Sequence, residues 1–301
     1  MLATQALDKG GSDALDELCG LPLKQLREAK AEDQFVASLD GRLNGLVDLE
    51  GKRGYTLREC GCIIIAPQLK QFTSVLKSLD LQGTQIGPDG VKHIARLLKA
   101  KDTVLTGLNL CSNQLTGDAF PFVRTDGVHA LVDAISFNRV LRHLDLSHNE
   151  LRSEGARSLA QLVEVNTTLR HLDLAGNAMA AWDCDGMIEL VNALCSNEEL
   201  TTLNLADNKM GERIQIGSGH DAEWKTPVLD AIVHVLGHNA TLTSLNLSDN
   251  YLGISGAELI TKAIDHNIGL QVLDVSKNWM IKEQEQPLYE TCVPKGIRVE
   301  F

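Results

Sequence analysis

Aromatic side chains are scarce in this 301-residue sequence: Phe, Tyr and Trp together make up 4% of it, too little for a platform of stacked bases or a ring-lined cofactor pocket. Proline is sparse as well, with 7 residues against 25 glycines in a chain that is 44% hydrophobic and 23% charged. Collagen-like, low-complexity and largely disordered classes are thereby excluded. Cations are outnumbered. Lys+Arg 28 against Asp+Glu 40 leaves a formal charge of −12 and a pI near 5.2, a field that repels phosphate backbones and anionic headgroups, so neither nucleic acid nor membrane is an expected partner. Long apolar runs are missing: the densest, residues 62–66, is far too short to span a bilayer, and the opening MLATQALDKGGSDALDEL mixes charge throughout, without a secretory apolar stretch.

Catalytic signatures are also absent. The sequence has no G-x-x-x-x-G-K-[ST] phosphate loop, no G-x-S-x-G elbow, no H-E-x-x-H helix and no Rossmann glycine fingerprint. Ser218, His220 and Asp221 stand together, but in the glycine-flanked run 216–220, which reads as a flexible loop rather than an oriented triad. The cysteines, Cys19, Cys60, Cys62, Cys111, Cys184, Cys195 and Cys292, are odd in number and contain no paired C-x-x-C clusters. Free thiols in a reducing, intracellular and cytoplasmic setting are expected, with Cys60 and Cys62 as ordinary thiols. The sequence therefore predicts no enzyme, no cofactor and no metal.

What is present is a repeat. Seven segments, 76–86, 105–115, 141–151, 169–179, 200–210, 242–252 and 270–280, share the frame L-x-x-L-x-[LV]-x-x-[NT]-x-[LIM]. Their starts lie 29, 36, 28, 31, 42 and 28 residues apart, a unit of 28 or 29 with insertions in three. The L-x-L core alternates with period two, as a strand with one buried face requires. Apolar residues then recur at helical spacing, as at Leu159, Leu162 and Val163 or Leu259, Ile260, Ala263 and Ile264. Each unit thus reads strand, loop, helix. The frame residue Asn113, Asn149, Asn177, Asn208, Asn250 or Asn278 carries an amide able to satisfy backbone donors and acceptors where the strand turns away; Thr84 replaces it in the first clear unit, which is expected to be looser. Asn138, Asn166, Asn197, Asn239 and Asn267, three places before the next frames, read as left-handed helix stops, with Asp102 in the first unit.

On these residues the chain resembles the leucine-rich repeat family, and the 28/29-residue period with a helical second half resembles its ribonuclease-inhibitor-like branch. The resemblance covers residues 43–301 and implies an α/β fold: a curved horseshoe solenoid with parallel strands on the concave face and helices on the convex face. Residues 1–42 read as an N-terminal cap, helical over 12–38. Residues 43–75 form a degenerate unit with its strand near 46–49 and Pro67 disturbing its helix, and a closing strand is expected near 297–301 after a helical stretch at 283–291.

Functional candidates fall in two places. Side chains between the frame leucines form a polar ledge whose second column is Asp or Asn in every clear repeat, and Arg142-His143-Leu144-Asp145 is nearly duplicated by Arg170-His171-Leu172-Asp173. His143, Asp145, His171 and Asp173 are thus candidates for partner pairing, and the duplicated His and Asp are types competent to bind a metal or to respond to pH near neutrality. The insertions at 116–126, 180–185 and 211–226 all follow the frame turn and precede the helix, so they belong on one rim. They carry Phe120, Phe122, Arg124, Trp182 and Trp224, types enriched at binding hot spots, and Trp279 extends the set. The expected function is a noncatalytic interaction scaffold, a structural subunit of a larger protein complex. The alternative is GTPase activation, because the Ran GTPase-activating proteins share this repeat branch; their functional residues do not map onto this chain position by position.

Overall fold

The computed structural model describes residues 73–74, 76–117, 123–211 and 227–301, and the backbone of three short strands outside those ranges. The chain divides into two compact units, Met1–Asn149 and Glu150–Phe301. Most of the expected cap and degenerate unit, including residues 46–49 and Cys60 and Cys62, lies outside the described residues. One element there corrects the helical reading of 12–38: its last four residues form a strand, β1 (Phe35–Ser38), parallel to β2 (Leu76–Asp80). Phe and Val favour extended backbone, and the hydrogen-bond ladder with β2 overrides a helical pattern that was only local.

The first unit continues with α1 (Pro88–Leu98), β3 (Gly107–Asn109), α2 (Asp126–Phe137) and β4 (His143–Asp145). Its strands lie in the order β1-β2-β3-β4, with Leu79 against Leu108 and Leu108 against Leu144. In the second unit α3 (Arg152–Val165), β5 (His171–Asp173), α4 (Asp185–Ala193) and β6 (Thr202–Asn204) are followed by a hairpin of β7 (Ile214–Ile216) and β8 (Glu223–Lys225). Then come α5 (Pro227–His238), β9 (Ser244–Asn246), α6 (Gly253–His266), β10 (Val272–Asp274), α7 (Lys282–Cys292) and β11 (Arg298–Glu300). The sheet order is β5-β6-β9-β10-β11, all parallel, so Leu172, Leu203, Leu245, Leu273 and Val299 form one column. Each unit is a stack of strand-loop-helix turns, the α/β solenoid architecture the repeat predicts.

The core follows from the period. In β2 to β6, β9 and β10 the frame leucine between two ledge residues is buried while those residues, apart from the exposed His143, are half exposed, and the helices bury Leu159, Leu162, Met187, Leu190, Ile232 and Val235 against it. Each such burial is worth ~1.5–3 kcal/mol, yet one turn cannot bury its own stripe, so the stack is the stabilising unit. Close helix approach needs glycine: a Cβ on Gly186 at the start of α4 would stand 1.9 Å from the Ser153 carbonyl oxygen at the start of α3.

Two asparagine ladders join successive turns. Asn208 is fully buried; its amide hydrogens are shared among the carbonyls of Leu205 and Ala206 in its own turn and Leu174 in the one before, at 3.0–3.1 Å, while its Oδ1 accepts the Met179 N–H at 3.3 Å. The N–H of Asn208 donates to Asn250 Oδ1 at 2.8 Å, and that of Asn250 to Asn278 Oδ1 at 2.7 Å. Thr84 supplies only a hydroxyl, 2.7 Å from the Leu81 oxygen. The second ladder corrects the expected left-handed stops. Asn138, Asn166 and Asn267 are extended, with φ near −72°, −81° and −72°, and end the helix through the side chain instead. In Asn239 the amide donates back to the Leu194 and Asn197 carbonyls, while Oδ1 accepts the Thr241 and Leu242 N–H groups at 3.1 and 2.8 Å. Left-handed backbone occurs elsewhere, on both sides of the frame asparagine: Asp207 and Lys209, Asp249 and Tyr251, Lys277 and Trp279 all have φ between 52° and 64°.

Candidate protein-docking rim

The second ledge column is architectural. Oδ1 of Asp145 accepts the Ser147 N–H at 2.9 Å, that of Asp173 the Ala175 N–H at 3.0 Å, and those of Asn204, Asn246 and Asp274 the N–H two residues on. A carboxylate or amide here closes the turn at the strand end, which is why the column is Asp or Asn throughout. Asp145 also accepts from the Ser147 hydroxyl, and Asp173 from the Asn204 amide at 2.9 Å. His143 is exposed on β4 in the first unit and His171 half-buried on β5 in the second. Among the described residues no three His, Cys, Asp or Glu side chains are grouped to hold a metal ion.

Arg124 is engaged within the first unit. Its guanidinium grips Asp89 on α1 with two bonds of 3.0 and 3.1 Å and reaches Asp126 on α2 at 3.0 Å, while Lys92 pairs with the same two carboxylates. The two cations hold Asp89 down at about 2 and lower Asp126 as well. This lattice clamps the end of the 116–126 insertion to two helices. Phe120 and Phe122 lie outside the described residues.

The rim aromatics whose side chains are described belong to the second unit. Its strands are parallel, so the connections after β5, β6, β9 and β10 leave from neighbouring ends of one sheet, across about 14 Å at ~4.8 Å per strand. After β5 stands Trp182, 73% exposed, with the Arg152 guanidinium 5.1 Å from its ring centre. After β6 comes the hairpin, in which Trp224 pairs with Gln215; the side chain of Trp224 lies outside the described residues. After β9 and β10 stand Tyr251 and Trp279, their ring centres 4.7 Å apart and tilted by 41°, with Trp279 also 73% exposed. Lys209 Nζ sits 4.9 Å over the Tyr251 ring and pairs with Asp207, a contact that raises its pKa.

Sequence reasoning found Trp182 and Trp279 but missed Lys209 and Tyr251. The signal was there: both directly follow a frame asparagine, in the slot that Trp279 fills one turn later. The left-handed backbone of that slot throws the side chains clear of the strand end, where a cation and two rings stack turn upon turn.

A family model described as Leucine Rich repeat matches residues 74–95, 137–160, 165–181 and 238–260. No curated protein matches the sequence. Among solved structures, the leucine-rich repeat-containing protein LegL7 from Legionella pneumophila is 19% identical over 85% of this chain and 70% of its own, with a TM-score of 0.51. Leiomodin-1 actin-binding site 2 is 17% identical over 67% of this chain and 94% of its own at a TM-score of 0.42. The tropomodulin C-terminal domain of Caenorhabditis elegans is 16% identical over 59% and 92% at 0.43.

Proposed function

Since the chain is built of leucine-rich repeats, we propose that it is a noncatalytic protein-binding scaffold of the ribonuclease-inhibitor-like kind, working inside the cell as a fixed subunit of a larger assembly. The partner docks on the rim of the second unit. One observation carries this reading: in a chain with only 3 Trp and 3 Tyr, Trp182, Tyr251 and Trp279 follow β5, β9 and β10 of one parallel sheet, the two tryptophans 73% exposed, two of the rings backed by a cation. Exposed aromatic side chains on a rigid support are what a partner buries as anchors. The ledge offers short polar groups already engaged in closing turns.

The test is affinity purification with mass spectrometry on the wild type, Trp182→Ala, Trp279→Ala and Trp224→Ala, each variant first checked for wild-type thermal stability. A stoichiometric partner lost from the rim variants supports the reading. A partner retained by all three moves the interface elsewhere, and stimulated GTP hydrolysis by a bound GTPase replaces the scaffold with the GTPase-activating alternative.

A further inference from the structure

Among the described residues β11 is the outermost strand of the second unit's sheet. β11 is paired on one side only, parallel to β10, with Val272 against Arg298, Leu273 against Val299 and Asp274 against Glu300. The Arg298 N–H donates to the Gln271 oxygen at 2.8 Å, and the Glu300 oxygen accepts the Val275 N–H at 2.9 Å. Along a strand the backbone groups of successive residues point to opposite edges. The N–H and C=O of Val299 therefore point away from β10, and among the described residues nothing pairs with them. Such an edge is a template for another strand.

The side chains say which strand fits. Arg298 and Glu300 lie on one face of β11 and pair with each other. If a second copy of β11 runs antiparallel with the register centred on Val299, the two Val299 residues exchange both of their N–H···O=C bonds. Arg298 of each copy then falls opposite Glu300 of the other. Those flanking positions are the non-hydrogen-bonded pairs, whose Cα atoms lie ~4.5 Å apart and whose side chains approach most closely. An in-register parallel pairing would instead set Arg beside Arg and Glu beside Glu, which is repulsive. The charge pattern is thus complementary to itself in the antiparallel sense alone, as a two-fold interface requires.

The surroundings agree. A two-fold axis normal to the sheet keeps both helix layers on the same side and brings α7 toward its copy. Tyr289 on α7 and Val293 just after it are each 50% exposed, and Phe301 after β11 is 41% exposed. In the same register Phe301 falls opposite Ile297.

We propose that two copies of this chain associate about a two-fold axis at Val299, joining their β11 edges into one antiparallel pair. Sedimentation equilibrium of the full chain should show a reversible dimer. Arg298→Glu and Glu300→Arg, each replacing attraction by repulsion at both cross-strand pairs, should each weaken it by about tenfold or more, while the double reversal should restore it. A Val299→Cys chain, mildly oxidised, should yield a disulfide-linked dimer mapped by mass spectrometry to position 299. Far-ultraviolet circular dichroism confirms that the variants fold. A monomer at all concentrations overturns the proposal, as does a dimer that neither single reversal weakens, a double reversal no better than the singles, or oxidation that links other cysteines and never 299.

Discussion

A buried asparagine is costly unless every polar atom it carries is answered, and here the answers come from two turns at once. Asn208 reaches three carbonyls and one N–H of two successive repeats. Asn208→Ala should therefore destabilise the chain by ~2–4 kcal/mol, because the carbonyls are left unanswered in the interior; urea unfolding checks it, and Asn204→Ala at the half-exposed ledge should cost much less. The frame asparagines were legible because spacing alone marks them. The asparagines that end the helices were legible as stops but not in mechanism: a left-handed stop and an amide bridging two turns favour the same residue, and only φ near −72° at Asn138 and Asn267 tells them apart. Tyr251 and Lys209 were marked by their place after a frame asparagine, but spacing alone does not say that the left-handed backbone there stacks a cation and two rings from successive turns.

Helices and loops show where local pattern reaches its limit. Helical periodicity placed α3 and α6 well, since 14 residues of apolar recurrence leave little room for another reading. The three-residue strands of the 211–226 insertion, and β1, are too short to carry a period. At this scale glycine sets packing distance: Gly186→Ala forces α4 away from α3 and should cost ~1–3 kcal/mol, read as a lowered thermal midpoint, whereas Gly83→Ala, with open space around its Cβ position, suffers only from its φ of 65°. The Arg124 lattice gives a pH signature. Carboxylates whose folded pKa is depressed contribute stability above their ordinary value near 3.8, and that contribution is lost as pH falls toward about 2. Wild type should exceed Arg124→Met above pH 5, by ~1 kcal/mol or less because solvent screens side chains 41–47% exposed. The gap should close on acidification and with added salt. An undiminished gap at low pH would assign the effect of Arg124 to packing.

Across the whole molecule, repeat arithmetic revealed the architecture, but it could not reveal the division at Asn149, because every turn obeys the same frame on either side of it. Thiols offer a probe at this scale. Cys292 is fully buried and its thiol is pushed up to about 11 by desolvation, whereas Cys195 is exposed. Under native conditions alkylation should mark Cys195 and spare Cys292, whose labelling should accelerate with urea as the end of the second unit opens; rapid labelling of Cys292 in buffer alone would mean that this end is already open. The asparagine ladders carry a consequence of a different kind. Within each unit their amides reach backward, toward the turn made earlier in the chain. A ribosome delivering the polypeptide from its amino end would then supply each loop first and its clasp afterwards, so nascent folding can advance like a zip, one newly synthesised asparagine at a time.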